Sequence, residues 1–172
     1  MYDPHAQFFT ATILEWKHLL KQDKYKDIIV NSMSFLVAGK RAKIYGFVLI
    51  PNHIHLIWQI NQTYKLEAVQ RNFLKFTAQK IKTDLKNNHP QVLEKFLVNL
   101  KDRKYQLWEI NPLSVDLFAE KVFLQKLNYI HQNPIQEKWK LADLPENYFY
   151  SSARFYETGE RSFPFLSHYL DE

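Results

Sequence analysis

The chain has 172 residues, 46% of them hydrophobic, which suits one ordinary domain with a substantial core and excludes a disordered segment. Its formal charge of +5 suits a nucleic-acid partner without requiring one. No cysteine is present, which excludes disulfides, thiolate zinc sites and a Cys nucleophile; three glycines are too few for a Walker loop or a dinucleotide fingerprint.

In chain order, Met1-Tyr2-Asp3-Pro4-His5 lacks the character of a signal peptide, and no apolar run reaches the ~20 residues of a membrane helix. A soluble cytoplasmic protein is expected. Gln7 to Trp16 is rich in aromatic and β-branched residues and reads as a strand. Asp23 to Val37 spaces Tyr25, Ile28, Ile29, Met33 and Leu36 as a helix, with Gly39 as its stop. Lys43 to Ile50 and His53 to Ile60 read as strands joined by Pro51-Asn52 alone, hence a tight antiparallel hairpin.

Tyr64 to Asn88 is the longest helical pattern, with Leu66, Val69, Phe73, Phe76, Ile81 and Leu85 as its apolar face. Arg71, Lys75, Gln79, Lys82 and Lys86 form a mostly basic stripe on another side. Lys104 to Ile110 reads as a further strand. Ser114 to Gln132 reads as a second long helix, with Ser114 as N-cap, Asp116 in the first turn and Pro134 closing it. After Leu141 the chain is turn-rich and aromatic, and no element is assigned.

This order predicts an α+β, ferredoxin-like split β-α-β fold: an antiparallel sheet, helices on one face, and a C-terminal helix. No repeat or linker divides it, so residues 1–172 read as one domain, with a core of about 7–135 and an irregular tail of 136–172. The fold by itself implies no function.

Alternation along a strand puts His53, His55, Ile57 and Gln59 on one face and the apolar Ile54, Leu56, Trp58 and Ile60 on the core side. The two histidines are then about 7 Å apart at Cα and able to converge on one divalent cation. Two surface histidines are the plainer alternative. Tyr129 shares a helix face with Lys126 and Asn133, bringing phenol, ammonium and amide to one side. A half-buried aromatic with its hydroxyl at the helix edge is the alternative there. His131 lies on a different face and suits a packing or surface role.

The string Tyr45-Gly46-Phe47-Val48-Leu49-Ile50-Pro51-Asn52-His53-Ile54-His55-Leu56-Ile57 closely resembles the signature of single-tyrosine HUH transposases of the insertion-sequence-200-like group. Leu127 to Ile135 (LNYIHQNPI) resembles the Tyr-x-x-x-Asn-Pro block of their REP-associated tyrosine transposase branch, and Pro145 to Tyr156 (PENYFYSSARFY) resembles the tail of that branch. The likeness covers roughly residues 7 to 157. It implies that His53 and His55 bind metal, that Tyr129 is the attacking nucleophile, and that Asn133, one turn later, is the third ligand. It departs from the pattern at Ile50, where many relatives carry Met, and Asn133 has a shorter arm than the Gln of others.

The resemblance further implies Mg²⁺ or Mn²⁺ as cofactor and single-stranded DNA with a hairpin as partner. The reaction implied is cleavage and rejoining through a 5′-phosphotyrosine. Relatives include monomers and dimers with shared sites, so a homodimer is allowed, with Tyr129 serving either chain. Tyr64 to Lys104 holds ten Lys and Arg against four Asp and Glu, so the basic excess is local. Arg71, Lys75, Lys82, Lys86, Arg103 and Lys104 are the candidate DNA contacts, with Tyr105 or Trp108 for base stacking. Two other classes stay open: a hairpin-binding protein without transposition, and a metal-dependent phosphodiesterase that uses water.

Overall fold

The Pro51-Asn52 turn closes the hairpin on which the sheet is built. Strand β2 (Ala42–Ile50) pairs antiparallel with β3 (His53–Ile60), and Ile50 faces His53 directly across the turn. The computed structural model describes residues 2 and 5–171; Met1, Asp3 and Pro4, on which the signal-peptide reading partly rests, lie outside the described residues. Strand β1 (Gln7–Thr12) pairs with the other edge of β3, and helix α1 (Asp23–Ala38) runs between β1 and β2. Helix α2 (Leu66–Asn88) follows β3, then a short α3 (Pro90–Glu94) and a two-stranded ribbon of β4 (Leu97–Leu100) and β5 (Arg103–Tyr105). Strand β6 (Leu113–Asp116) pairs antiparallel with β1 and completes a sheet of order β2-β3-β1-β6, the ferredoxin-like arrangement expected. Helices α4 (Glu120–Gln132) and α5 (Ala153–Thr158) complete the elements.

The sheet has a packed layer on each side. Phe9, Phe47, Leu49, Ile54, Leu56 and Trp58 pack with α1 and α2 on one face. Phe8, Val48, Ile50 and Ile57 pack with Phe123, Leu127 and Ile130 of α4 on the other. The β3 alternation was therefore legible, but its histidine face is buried beneath α4. A bulge at Tyr45 shifts the β2 register between Ile44 and Gly46. A Cβ at Gly46 would lie 2.6 Å from Leu127 Cδ1 and 3.3 Å from Ile130 Cδ1, so glycine lets α4 sit close on the sheet.

Four expectations are corrected. The first strand stops at Thr12, because Glu15 and Trp16 take left-handed backbone and Leu14–Trp16 forms a 3-10 turn. Lys104 to Ile110 is not the fourth sheet strand: only Arg103–Tyr105 is strand, and it belongs to the ribbon. The fourth strand is β6, so Ser114 is no N-cap and α4 begins at Glu120 behind Ala119. All four β6 residues are exposed, and the strand is held by backbone pairing with β1 and by Gln70 Nε2, which donates to Ser114 Oγ at 2.9 Å. Phe76 is 48% exposed, and Thr77 takes its place inward, accepting a hydrogen bond from Trp108 Nε1 at 3.2 Å.

The tail covers the outer edge of β2. Leu49 N–H donates to Tyr150 O (2.9 Å), Ser152 N–H to Phe47 O (3.0 Å) and Ser167 N–H to Ile44 O (2.9 Å), while Phe155, Phe163 and Phe165 enter the main core.

Candidate active site

His53 and His55 project from the start of β3 into the layer beneath α4, with ring centroids 4.7 Å apart. They are 7% and 5% exposed, which replaces the picture of two surface histidines. Each has an oxygen partner on Nδ1. His53 Nδ1 lies 2.6 Å from Asn52 Oδ1, and His55 Nδ1 lies 2.7 Å from Thr10 Oγ1, its cross-strand neighbour.

Asn133 comes from the far end of α4. Although it precedes proline, it keeps helical backbone (φ −55°, ψ −48°) and opens a 3-10 turn, Asn133–Ile135. Its side chain is thereby turned inward and buried, with Oδ1 3.1 Å from His53 Nε2. His53 thus stands between two amide oxygens. Burial pushes its pKa down to about 4, Asn133 offsets part of that, and the Lys138 charge lowers it further. The ring is neutral near pH 7 and carries one N–H. That proton serves either Asn52 on Nδ1 or Asn133 on Nε2, and in the Nδ1–H tautomer the Nε2 lone pair is free for a cation.

His55 is more deeply buried, and burial, His53 and Lys126 together hold its pKa at about 3. Its Nε2 is buried with no hydrogen-bond partner. Two neutral imidazole nitrogens and one amide oxygen, all lone pairs, with the other ring nitrogens held by oxygen atoms, fit a divalent cation. Among the described residues no group of three or more His, Asp or Glu side chains is arranged to hold a metal. The amide oxygen that meets the His53 ring nitrogen is that of Asn133.

Tyr129, one turn before Asn133, is 46% exposed. Its ring lies 5.5 Å from that of His55 and 6.3 Å from that of Phe8, which stacks on His55 at 5.2 Å. Lys126 Nζ lies 4.9 Å above Phe8 and 5.9 Å above Tyr129. Phenol, imidazoles, amide and ammonium are thus gathered within one chain. His131 points the other way, into packing, where its Nε2 meets Ser152 Oγ at 2.7 Å; burial holds its pKa at about 4.

The expected DNA-contact residues are not gathered here. Arg71, Lys75, Lys82 and Lys86 are exposed on α2, which covers the opposite sheet face, and Arg103 and Lys104 lie on the ribbon. The cations whose charge reaches the histidines are Lys126 and Lys138. Trp108, expected as a stacking surface, is buried and bonded to Thr77. Sequence reasoning missed Thr10, Asn52 and Lys138 as parts of the site. Asn52 was adjacent to His53 and open to notice, whereas Thr10 needs the β1–β3 register and Lys138 the path of the tail.

No family model matches the chain, and no curated protein matches it. Among solved structures, the chain is similar to a REP-associated tyrosine transposase bound to a REP hairpin. That match covers 100% of this chain and 92% of the other at 16% identity, with a TM-score of 0.66. A candidate transposase from Deinococcus radiodurans R1 matches over 74% of this chain and 88% of its own, at 12% identity and a TM-score of 0.49. The chain shares the α+β fold of the first of these over its whole length.

Proposed function

We propose that this chain is an HUH-type transposase that cuts and rejoins single-stranded DNA through Tyr129. The observation that carries this is the approach of Asn133 Oδ1 to His53 Nε2 (3.1 Å), beside the unpartnered Nε2 of His55 and the ring of Tyr129. His53, His55 and Asn133 would hold Mg²⁺ or Mn²⁺, which when bound supplies positive charge at the scissile phosphate. Lys126 and Lys138 draw the phosphate towards the same face.

The Tyr129 oxygen attacks phosphorus and forms a P–O bond while the bond to the upstream 3′ oxygen breaks. The phenol proton passes to water at the half-exposed ring, and the departing 3′ oxygen takes up a proton. A second 3′-OH reverses these steps and releases Tyr129, so the phosphodiester is conserved without ATP. The nearness of Tyr129 to His55 of its own chain supports action in cis, whether the protein is a monomer or a homodimer.

The hairpin bound by the structurally similar transposase supports a hairpin-bearing single strand as partner. The α2 stripe (Arg71, Lys75, Lys82, Lys86) and the ribbon residues Arg103 and Lys104 then meet phosphates away from the cut, as on a stem. Among the described residues no helix is long and apolar enough to cross a membrane, and we place the work in the cytoplasm, at the nucleoid. The test is a hairpin-bearing oligonucleotide with Mn²⁺: a protein–DNA adduct stable on a denaturing gel, lost in Tyr129→Phe, is expected. Cleavage without an adduct, persisting in Tyr129→Phe, would favour a water nucleophile instead.

A further inference from the structure

Between β1 and α1 the chain makes a turn in which Glu15 (φ 55°) and Trp16 (φ 57°) both hold left-handed backbone, a conformation rare for bulky residues. The turn is fixed from several sides. Trp16 N–H donates to Ile13 O at 2.9 Å, Glu15 N–H to Glu109 Oε1 at 2.6 Å, and Leu14 N–H to Leu107 O at 2.8 Å. Its effect is to hold the Trp16 indole out of the core, 62% exposed, with its ring edge-on to His53 at 6.4 Å.

Scattered exposed apolar residues are ordinary. This one is tied to the site. Asn52 accepts from His53 Nδ1 through Oδ1 and, through Nδ2, donates to the Trp16 carbonyl at 3.5 Å. One amide therefore touches both the His53 ring and the turn that carries the indole. Trp58 and Trp108 are buried, and Trp139 is half-buried with its ring 6.1 Å from that of His53. Trp16 is the tryptophan that offers an open π face.

We propose that Trp16 is a base-stacking platform for a nucleotide of single-stranded DNA adjoining the scissile phosphate. The proposal rests on the DNA-processing reading above. Lys126 and Lys138 attract phosphate but leave the strand free to slide. One stacked base fixes its register, and because every base has a π face the grip tolerates sequence. Trp16 is thus a positioning contact for substrate, set beside the site and separate from the metal-binding set.

The probe is a single-stranded 20-mer of thymidine, with some thymines replaced by 5-iodouracil, whose photocrosslinks favour stacked aromatic side chains. On the intact chain the adduct is expected to map to Trp16. Trp16→Asn suits the left-handed turn but lacks the ring; it should lose the adduct and bind the 20-mer roughly 5- to 100-fold more weakly. Trp16→Phe should retain most of the affinity. An unchanged Mn²⁺-induced stabilisation of Trp16→Asn would separate loss of the ring from damage at His53. Full affinity in Trp16→Asn, with the adduct on another residue, overturns the platform and leaves the DNA-processing reading standing. No binding of the 20-mer or of a hairpin-bearing strand by wild type overturns both.

Discussion

Asn133 Oδ1 lies 3.1 Å from His53 Nε2, so the end of α4 and the start of β3 meet across 80 residues of chain. With the unpartnered Nε2 of His55 beside them, these two atoms make a donor set that suits a divalent cation. Mn²⁺ is therefore expected to stabilise the folded protein, by about 2.7 kcal/mol at a hundredfold excess over its Kd. Thermal unfolding with Mn²⁺ or EDTA measures this. His55→Ala and His53→Ala should abolish the response, and Asn133→Ala should weaken it; an undiminished response in both histidine variants would place the ion elsewhere.

His53, His55 and His131 are held by burial at about 4, 3 and 4, below the ordinary 6.5. The unfolded chain binds protons near pH 6.5 that the folded chain refuses. The stability this contributes is complete above about pH 6.5 and is lost as pH falls through about 4 and 3. Urea unfolding of the metal-free protein should show a fall approaching ~1.4 kcal/mol per pH unit for each histidine, and His131→Gln should remove one share. A flat profile from pH 7 to 4.5 would contradict this.

A Cβ at Gly46 would lie 2.6 Å from Leu127 Cδ1 of α4. Gly46→Ala should cost about 1–3 kcal/mol by overpacking and shift the helix that carries Tyr129 and Asn133. Adding Leu127→Ala should recover part of the loss. Denaturant melts of the two single variants and the double variant measure the coupling, and strictly additive losses would show that the contact does not set the helix position.

Charge reversal of Lys75, Lys82 and Lys86 to Glu should weaken DNA binding across sequences. It should also flatten the plot of log affinity against log salt by up to about 3, at roughly 0.9 per duplex phosphate contact on the stem. Unchanged affinity would move the DNA from α2 to the face of Lys126 and Lys138.

The elements that position the site were legible where periodicity marks them. Alternation in β3 put His53 and His55 together, and the four-residue step on α4 aligned Tyr129 with Asn133. The order of helices and strands implied the sheet. What was not legible depends on partners distant in sequence. Strand β6 is four residues long and fully exposed, and it is defined by pairing with β1 and by the Gln70–Ser114 bond, both to partners distant in sequence. Thr10 reaches His55 through register, and Lys138 reaches His53 through the fold of the tail. Trp108 looked like a stacking surface because a local pattern cannot show that Thr77 accepts its N–H inside the core.

The proposed chemistry turns on Tyr129. Mixing wild-type protein, Mn²⁺ and a hairpin-bearing single strand labelled at its 3′ end should yield a labelled protein band on a denaturing gel, joined through the 5′ phosphate of the downstream fragment. Tyr129→Phe removes only the hydroxyl and should change stability by at most ~1–2 kcal/mol. It should lose both adduct and cleavage, whereas Tyr45→Phe and Tyr150→Phe, whose hydroxyls donate to Gln59 and Asp27, should keep both. An adduct that persists in Tyr129→Phe and maps by peptide mass to another tyrosine would contradict the assignment of the nucleophile and, with it, the role given to Asn133.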